Sequence, residues 1–145
     1  MSIKAEAIRE AIDATLFSVC RHTRVGAALY SSTQVYKGYN YENRCQKGYH
    51  AEEMAVLKAH MSHVDPKDLI GLIVTFSSDD IDSLTFCCGH CRQIVWEYTL
   101  NPNLIVSEVN FNGKIIMEKT LGELYPYPYP RAAKANVSGM VDILK

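Results

Sequence analysis

Leu69-Ile70-Gly71-Leu72-Ile73-Val74-Thr75-Phe76 is apolar at nearly every position, without the alternation of a strand that turns one side to water. Such a run describes a strand covered on both faces. Helical patterns flank it. His50 to Met61 carries Ala51, Met54, Ala55, Leu57 and Ala59, strong helix formers with an apolar stripe, and Pro66 lies beyond its end. Cys88 to Leu100 places Ile94, Val95, Trp96 and Tyr98 at helical spacing, and Asn101-Pro102 stops it. Strands alternating with helices predict an α/β fold, a three-layer α/β/α sandwich around a mixed central β-sheet.

Further out, residues 3 to 17 place Ile3, Ala7, Ile8, Ala11, Ile12, Leu16 and Phe17 at helical spacing behind Ser2, a good N-cap. Val25 to Tyr30 and Gln34 to Asn40 read as a β-hairpin closed by Ser31-Ser32-Thr33, and Asn40 to Gly48 as a loop. Ser77 to Asp82 is a polar loop. Leu104 to Val109 and Lys114 to Glu118 bracket the turn pair Asn112-Gly113, and the sequence leaves open whether they pair. Thr120-Leu121-Gly122-Glu123 has the form of a capping box for a short helix, after which Pro126, Pro128 and Pro130 impose extended backbone. Residues 131 to 145 carry no clear pattern. With 145 residues, no internal repeat and no linker, residues 1–145 are expected to form a single domain.

Composition excludes several classes. Hydrophobic residues make up 48% and charged residues 21%, the balance of a globular domain and not of a disordered chain. A formal net charge of -1 argues against a protein that holds nucleic acid or anionic lipid by long-range charge. The longest aliphatic run is broken by Gly71 and is far short of a membrane span. The first residues meet charge at once and lack the apolar core of a signal peptide, so the cytoplasm is the expected location. Five cysteines in a reducing compartment are better read as ligands, nucleophiles or small buried residues than as a disulfide framework.

Three of them cluster at Cys87, Cys88 and Cys91. Cys88-Gly89-His90-Cys91 is a CxxC, which alone fits a redox pair, a zinc site or a chance spacing. Its companion is His50-Ala51-Glu52, 38 residues upstream. Both segments open helical patterns, so both sets of ligands sit at helix N-termini, where unpaired N–H groups favour thiolates. Three protein ligands, His50, Cys88 and Cys91, leave a fourth position open for water, the pattern of a catalytic zinc. Glu52 beside it is placed to move a proton between water, a ring nitrogen and a leaving amine, as in hydrolytic deamination.

With these motifs the chain resembles the cytidine deaminase family over roughly residues 5 to 129. Val25-Gly26-Ala27-Ala28-Leu29 is similar to the family's first strand, and Cys88 to Gln93 to its second zinc segment. Gly38-Tyr39-Asn40-Tyr41-Glu42-Asn43 resembles the segment whose Asn and Glu bind the ribose hydroxyl, here Asn40 and Glu42. The resemblance implies one Zn²⁺ per subunit on His50, Cys88 and Cys91, Glu52 as the catalytic proton shuttle, and backbone groups near Ala51 reading the pyrimidine edge. It implies a homotetramer as well, in which an aromatic of a neighbouring subunit covers the base, with Tyr129 first choice and Tyr127 in reserve. The expected reaction is conversion of cytidine or deoxycytidine to the uridine nucleoside with release of ammonia. The partner is a small nucleoside, with no nucleic acid and no membrane.

The chain also departs from the pattern. His50 stands where small tetrameric members have Cys, Glu53 where three-Cys members have Arg, Cys87 where Pro is usual, and Thr23 where a Phe packs beside the base. The loop from Glu42 to His50 is one residue shorter. These differences keep a modified aminopyrimidine nucleoside, of the blasticidin kind, as the alternative substrate, and a non-catalytic zinc module as a remote one. Plainer readings exist for each motif: a structural Cys₂His clip, a first-turn carboxylate at Glu52, a strand-end turn at Asn40 and Glu42, and a polyproline-type partner ligand at Tyr125 to Pro130.

Overall fold

A computed structural model describes residues 1–45, 47–76 and 86–129. The expectations for the loop at 77–82, for Pro130 and for the 131–145 tail lie outside them. The chain opens with α1 (Ile3–Ala14), whose N-cap Ser2 accepts the Ala5 N–H, followed by a 3-10 turn at Thr15–Phe17. β1 (Val25–Ser31) and β2 (Val35–Tyr39) form the antiparallel hairpin expected from the sequence. Ser31 Oγ closes its turn by accepting the N–H groups of Thr33 and Gln34. The segment read as a loop after Asn40 instead pairs its two ends, β3 (Tyr41–Glu42) with β4 (Gly48–Tyr49). Two residues on each side are too short for the period-2 signal of a strand to register in sequence.

α2 (Ala51–Met61) follows, then β5 (Leu69–Phe76), α3 (Gly89–Thr99), β6 (Ile105–Val109), β7 (Ile115–Thr120) and α4 (Leu121–Leu124). The main sheet has the order β2-β1-β5-β6-β7, with β5 and β6 parallel and every other pair antiparallel. It is the mixed sheet anticipated. The pairing left open by the sequence is made: β6 and β7 form a hairpin in which Asn110 accepts the N–H groups of Asn112 and Lys114, and Gly113 takes φ +77°. The capping box at Thr120 is present, with Thr120 Oγ1 accepting the Glu123 N–H at 3.2 Å and Glu123 accepting the Thr120 N–H at 2.8 Å.

The layers follow from which residues each strand points to which side. Ala27, Leu29, Leu72, Val74 and Val106 meet Ala51, Ala55 and Ala59 of α2 and Cys91 and Val95 of α3 in one core cluster. Ala28, Tyr30, Ile73 and Val109 meet Ala7 and Ala11 of α1 in a second, on the other face.

Two expectations need correction. The first helix stops at Ala14, and Leu16 and Phe17 are 70% and 60% exposed instead of lying on its buried stripe. A Cβ on Gly26 would lie 1.9 Å from the Ala11 carbonyl oxygen, so α1 rests backbone-to-backbone on β1 and only Ala7, Ala11 and Ala14 fit between them. β5 is buried along most of its length, but Ile70, beside the register shift at Tyr30 and Ser31, is 45% exposed.

Because α2 precedes β5 and α3 precedes β6, both helices begin at the carboxyl edge of the parallel strand pair. That edge is where open α/β sheets put their ligands.

Candidate active site

His50 and Cys88 are the N-caps of α2 and α3, and Cys91 lies in the first turn of α3. Extended backbone at both caps turns the His50 and Cys88 side chains off the helix ends and toward each other. His50 Nδ1 stands 3.4 Å from Cys88 Sγ and 3.4 Å from Cys91 Sγ, and the three donor atoms lie within 4.8 Å of one another. A tetrahedral zinc with its usual bond lengths would separate nitrogen and sulfur ligands by about 3.6 Å. The spacing and the soft donor set both fit zinc. Cys87, whose place before the CxxC raised the question of which cysteine ligates, is buried and outside the triad. Among the described residues no other group of His, Cys, Asp and Glu is spaced for a metal, so His60 and His63 form no second site.

The electrostatics call for a cation at this point. Burial raises the Cys91 thiol and the nearby Glu52 charge raises it further, while burial pushes Cys87 up to about 12. Burial also raises the Glu52 carboxyl, partly offset by its own backbone N–H, the Cys91 thiol and the charges of His50 and His90. Two thiols and a carboxyl packed this closely cannot all ionise without a compensating positive ion. His50, Cys88 and Cys91 would hold that ion, and Glu52, only 4% exposed, lies beside it. Glu53 has a different task. Its carboxylate accepts the His50 N–H at 3.2 Å and stands 3.9 Å from His90 Nε2, holding the cap of α2.

A cavity of about 620 Å³ opens over the triad, and Asn40, Glu42, His50, Ala51, Glu52 and Cys88 line it. The structure thus gathers seven of the eight site residues read from sequence, counting Cys91 with the triad. Asn40 is 9% exposed and its amide is largely spent on the scaffold: Oδ1 accepts from Ser18 Oγ and the Val25 N–H, and Nδ2 donates to the Thr23 carbonyl at 2.8 Å. Among the described residues one N–H of that amide has no partner and is left for a ligand. Glu42 accepts the Arg21 N–H at 3.2 Å.

Tyr129 is the eighth, and it does not line this cavity. It is 79% exposed on the outer surface, as is Tyr127 at 78%. Sequence reasoning missed six lining residues: Val25, Gly48, Tyr49, Phe76, Phe86 and Arg92. Arg92 follows Cys91 of the triad directly, and a cation next to the CxxC was the available signal for it. Phe76 ends the central strand at the carboxyl edge, a position that topology marks as ligand-facing. Thr23 is exposed and does not line the cavity.

Residues 1–107 match the profile of the cytidine and deoxycytidylate deaminase zinc-binding region. The chain belongs to that family. No curated protein sequence matches it. Among solved structures, the cytidine deaminase of Burkholderia pseudomallei superposes on 86% of this deaminase and 97% of its own chain, with TM-score 0.74 and 26% identity. The cytidine deaminase of Mycobacterium tuberculosis covers 86% and 94%, with TM-score 0.68 and 22% identity. A dCMP deaminase from the cyanophage S-TIM5 is more distant, at TM-score 0.52 and 18% identity over 74% of this chain and 82% of its own. The fold of the deaminase is therefore that of the cytidine deaminase structures, and its His, Cys, Cys group stands in the zinc-binding region.

Proposed function

We propose that this deaminase hydrolyses cytidine and deoxycytidine at C4, consuming one water and releasing ammonia and the uridine nucleoside. The observation that carries the reading is Glu52: a buried carboxyl on the first turn of α2, beside a triad with zinc-ligand spacing, on the floor of a nucleoside-sized cavity. Zinc held by His50, Cys88 and Cys91, one per subunit, would supply there a water acidified toward neutrality. Glu52 would carry the water's two protons in turn, the first to the ring nitrogen, where it stays, and the second from the hydroxyl added at C4 to the departing amine. Its raised affinity for a proton suits a group that must hold one between two transfers. Ala51 and the free N–H groups of the helix end read the pyrimidine edge. Glu42 and the remaining Asn40 N–H hold the sugar, and Phe76 and Phe86 supply apolar wall.

A free nucleoside is favoured over a nucleotide. Glu42 stands at the sugar end, and two of Arg92's donors are committed, Nε to the Cys87 carbonyl at 2.7 Å and Nη1 to the Leu124 carbonyl at 2.9 Å. Tyr129, exposed and outside its own cavity, fits a residue that covers the base in a second subunit of a homo-oligomer. Thr23 supports one alternative. An exposed hydroxyl stands where a base-packing Phe would be expected, and this favours a bulkier modified aminopyrimidine nucleoside as second substrate.

The test is the ultraviolet loss of cytidine, deoxycytidine, cytidine monophosphate and a blasticidin-like nucleoside, with zinc measured on the same samples. The natural chain should hold about one zinc and deaminate cytidine, and Glu52→Ala should keep the zinc and lose turnover. Faster turnover of the monophosphate, or turnover of the modified nucleoside alone, would replace the reading.

A further inference from the structure

The segment after α4, Tyr125-Pro126-Tyr127-Pro128-Tyr129, has proline at every second position and so lacks every second backbone N–H. It cannot join a sheet or continue a helix, and anything that fixes it must come from elsewhere in the chain. Two consecutive side chains of α3 do so. Gln93 Oε1 accepts both the Tyr125 hydroxyl at 2.6 Å and the Tyr129 N–H at 3.1 Å, and Gln93 Nε2 donates to the Tyr129 carbonyl. Glu97, one turn on, accepts from the same Nε2 and orients the amide. Arg92 grips the start of the segment through the Leu124 carbonyl, and its Nε holds the Cys87 carbonyl, immediately before the ligand Cys88. The forked guanidinium spans the two points with separate nitrogens. Cys91, the third member of the triad, directly precedes the Arg92-Gln93 pair.

We infer that Arg92 and Gln93 are positioning residues forming a clamp: Gln93 fixes the tyrosine-proline strap, and Arg92 ties that strap to the corner carrying Cys88. The strap then presents Tyr127 and Tyr129 outward in one fixed arrangement, and its docking is coupled to how firmly the metal corner is held. Where the clamp bears on substrate, through Tyr129 covering the base, the inference rests on the function proposed above. The clamp itself does not.

Hydrogen exchange of the Tyr129 amide in the zinc-loaded full chain reads the strap, and zinc transfer to a chelator reads the corner. Gln93→Ala should speed Tyr129 exchange by roughly tenfold or more, as loss of its acceptor implies, and leave zinc transfer unchanged. Arg92→Gln should speed both. The exchanged pair Gln93→Glu with Glu97→Gln keeps an acceptor for Tyr125 and Tyr129 but loses the donor to the Tyr129 carbonyl, and should recover part of the protection lost in Gln93→Ala. With cytidine as substrate, Gln93→Ala should raise KM and leave kcat in place, and adding it to Tyr129→Ala should raise KM no further. Unchanged Tyr129 exchange in Gln93→Ala, Arg92→Gln that alters zinc transfer alone, or independent effects of Gln93→Ala and Tyr129→Ala on KM would overturn the clamp. The exchange readout needs no substrate. A natural chain inactive on cytidine would therefore sink the substrate reading, while exchange and zinc transfer still decide the clamp.

Discussion

The two faces of the sheet are built by the same device and end up chemically unlike. On one face Gly26 lets α1 lie directly on β1. On the other Gly38 lets α2 lie on β2, since a Cβ there would come within 2.3 Å of the Ala51 carbonyl oxygen. The difference is direction. The carboxyl end of α1 reaches the Gly26 end of β1, beside Val25 at the cavity, whereas α2 and α3 bring their amino ends to the same edge. A helix N-terminus offers free N–H groups and partial positive charge, which suit thiolate ligands and a carboxylate, and a C-terminus offers the opposite sign. The α1 face accordingly holds packing alanines, and the α2/α3 face holds His50, Glu52, Cys88 and Cys91. Direction, set by which helix precedes which strand, decides where chemistry can sit.

Breaking the reactive face should have the largest effect. Cys91→Ala removes one of three donors and should weaken zinc by more than about 100-fold, beyond what loss of a supporting partner alone costs. A chelator competition with a colorimetric zinc indicator measures it, and tight zinc in this variant would refute the triad. Breaking the packing face comes next. Gly26→Ala drives a methyl into the Ala11 carbonyl and should destabilise by about 1–3 kcal/mol or more, while Gly89→Ala, whose Cβ meets nothing within 4 Å, should stay within about 0.5 kcal/mol. Urea unfolding of the two variants side by side checks the contrast.

Glu108 sharpens the comparison further, because it is a carboxyl on the α2/α3 side that the chemistry does not use. It is 6% exposed, and its Oε2 has no hydrogen-bond partner among the described residues. Burial raises its carboxyl above the ordinary value. The folded state therefore holds this proton more tightly than the unfolded chain. The resulting penalty is absent below the unfolded value and complete above the folded one, so it grows as pH rises between them. Glu108→Met should then gain about 1–2 kcal/mol at pH 7, with the gain shrinking toward pH 4, in unfolding curves at the two pH values. A gain equal at both would assign the effect to packing alone. A modest change is expected at the start of α1, where Ser2→Ala removes the cap on Ala5 and should cost about 1 kcal/mol by thermal unfolding without altering zinc content.

Much of this arrangement could be read from residue order, and the reasons are local. The apolar run of β5, the stripes of α2 and α3, the Thr120 capping box and the His50 to Cys91 motif are all written in neighbouring residues. What escaped depends on how separate elements meet. Leu16 and Phe17 continue the helical spacing of α1, and only the contact between α1 and Gly26 reveals that alanine alone fits there. The β3–β4 pair is local but only two residues long on each side, and β3 is anchored by the distant bridge of Tyr41 to Val19. Arg92 becomes a cavity residue only once Leu124 and Cys87 lie on either side of it. The resemblance supplied Asn40 as a sugar contact, and the structure adds that most of its amide is already holding the entry to β1.

The chain contains a single indole, Trp96, one turn beyond Arg92 on α3, packed against the core with its Nε1 buried and without a partner among the described residues. Its fluorescence is thus a built-in optical probe of the helix that carries both cysteines and the clamp. Emission should be blue-shifted in the native state and move to the red when α3 separates from the sheet, giving a signal for this one helix without any introduced label.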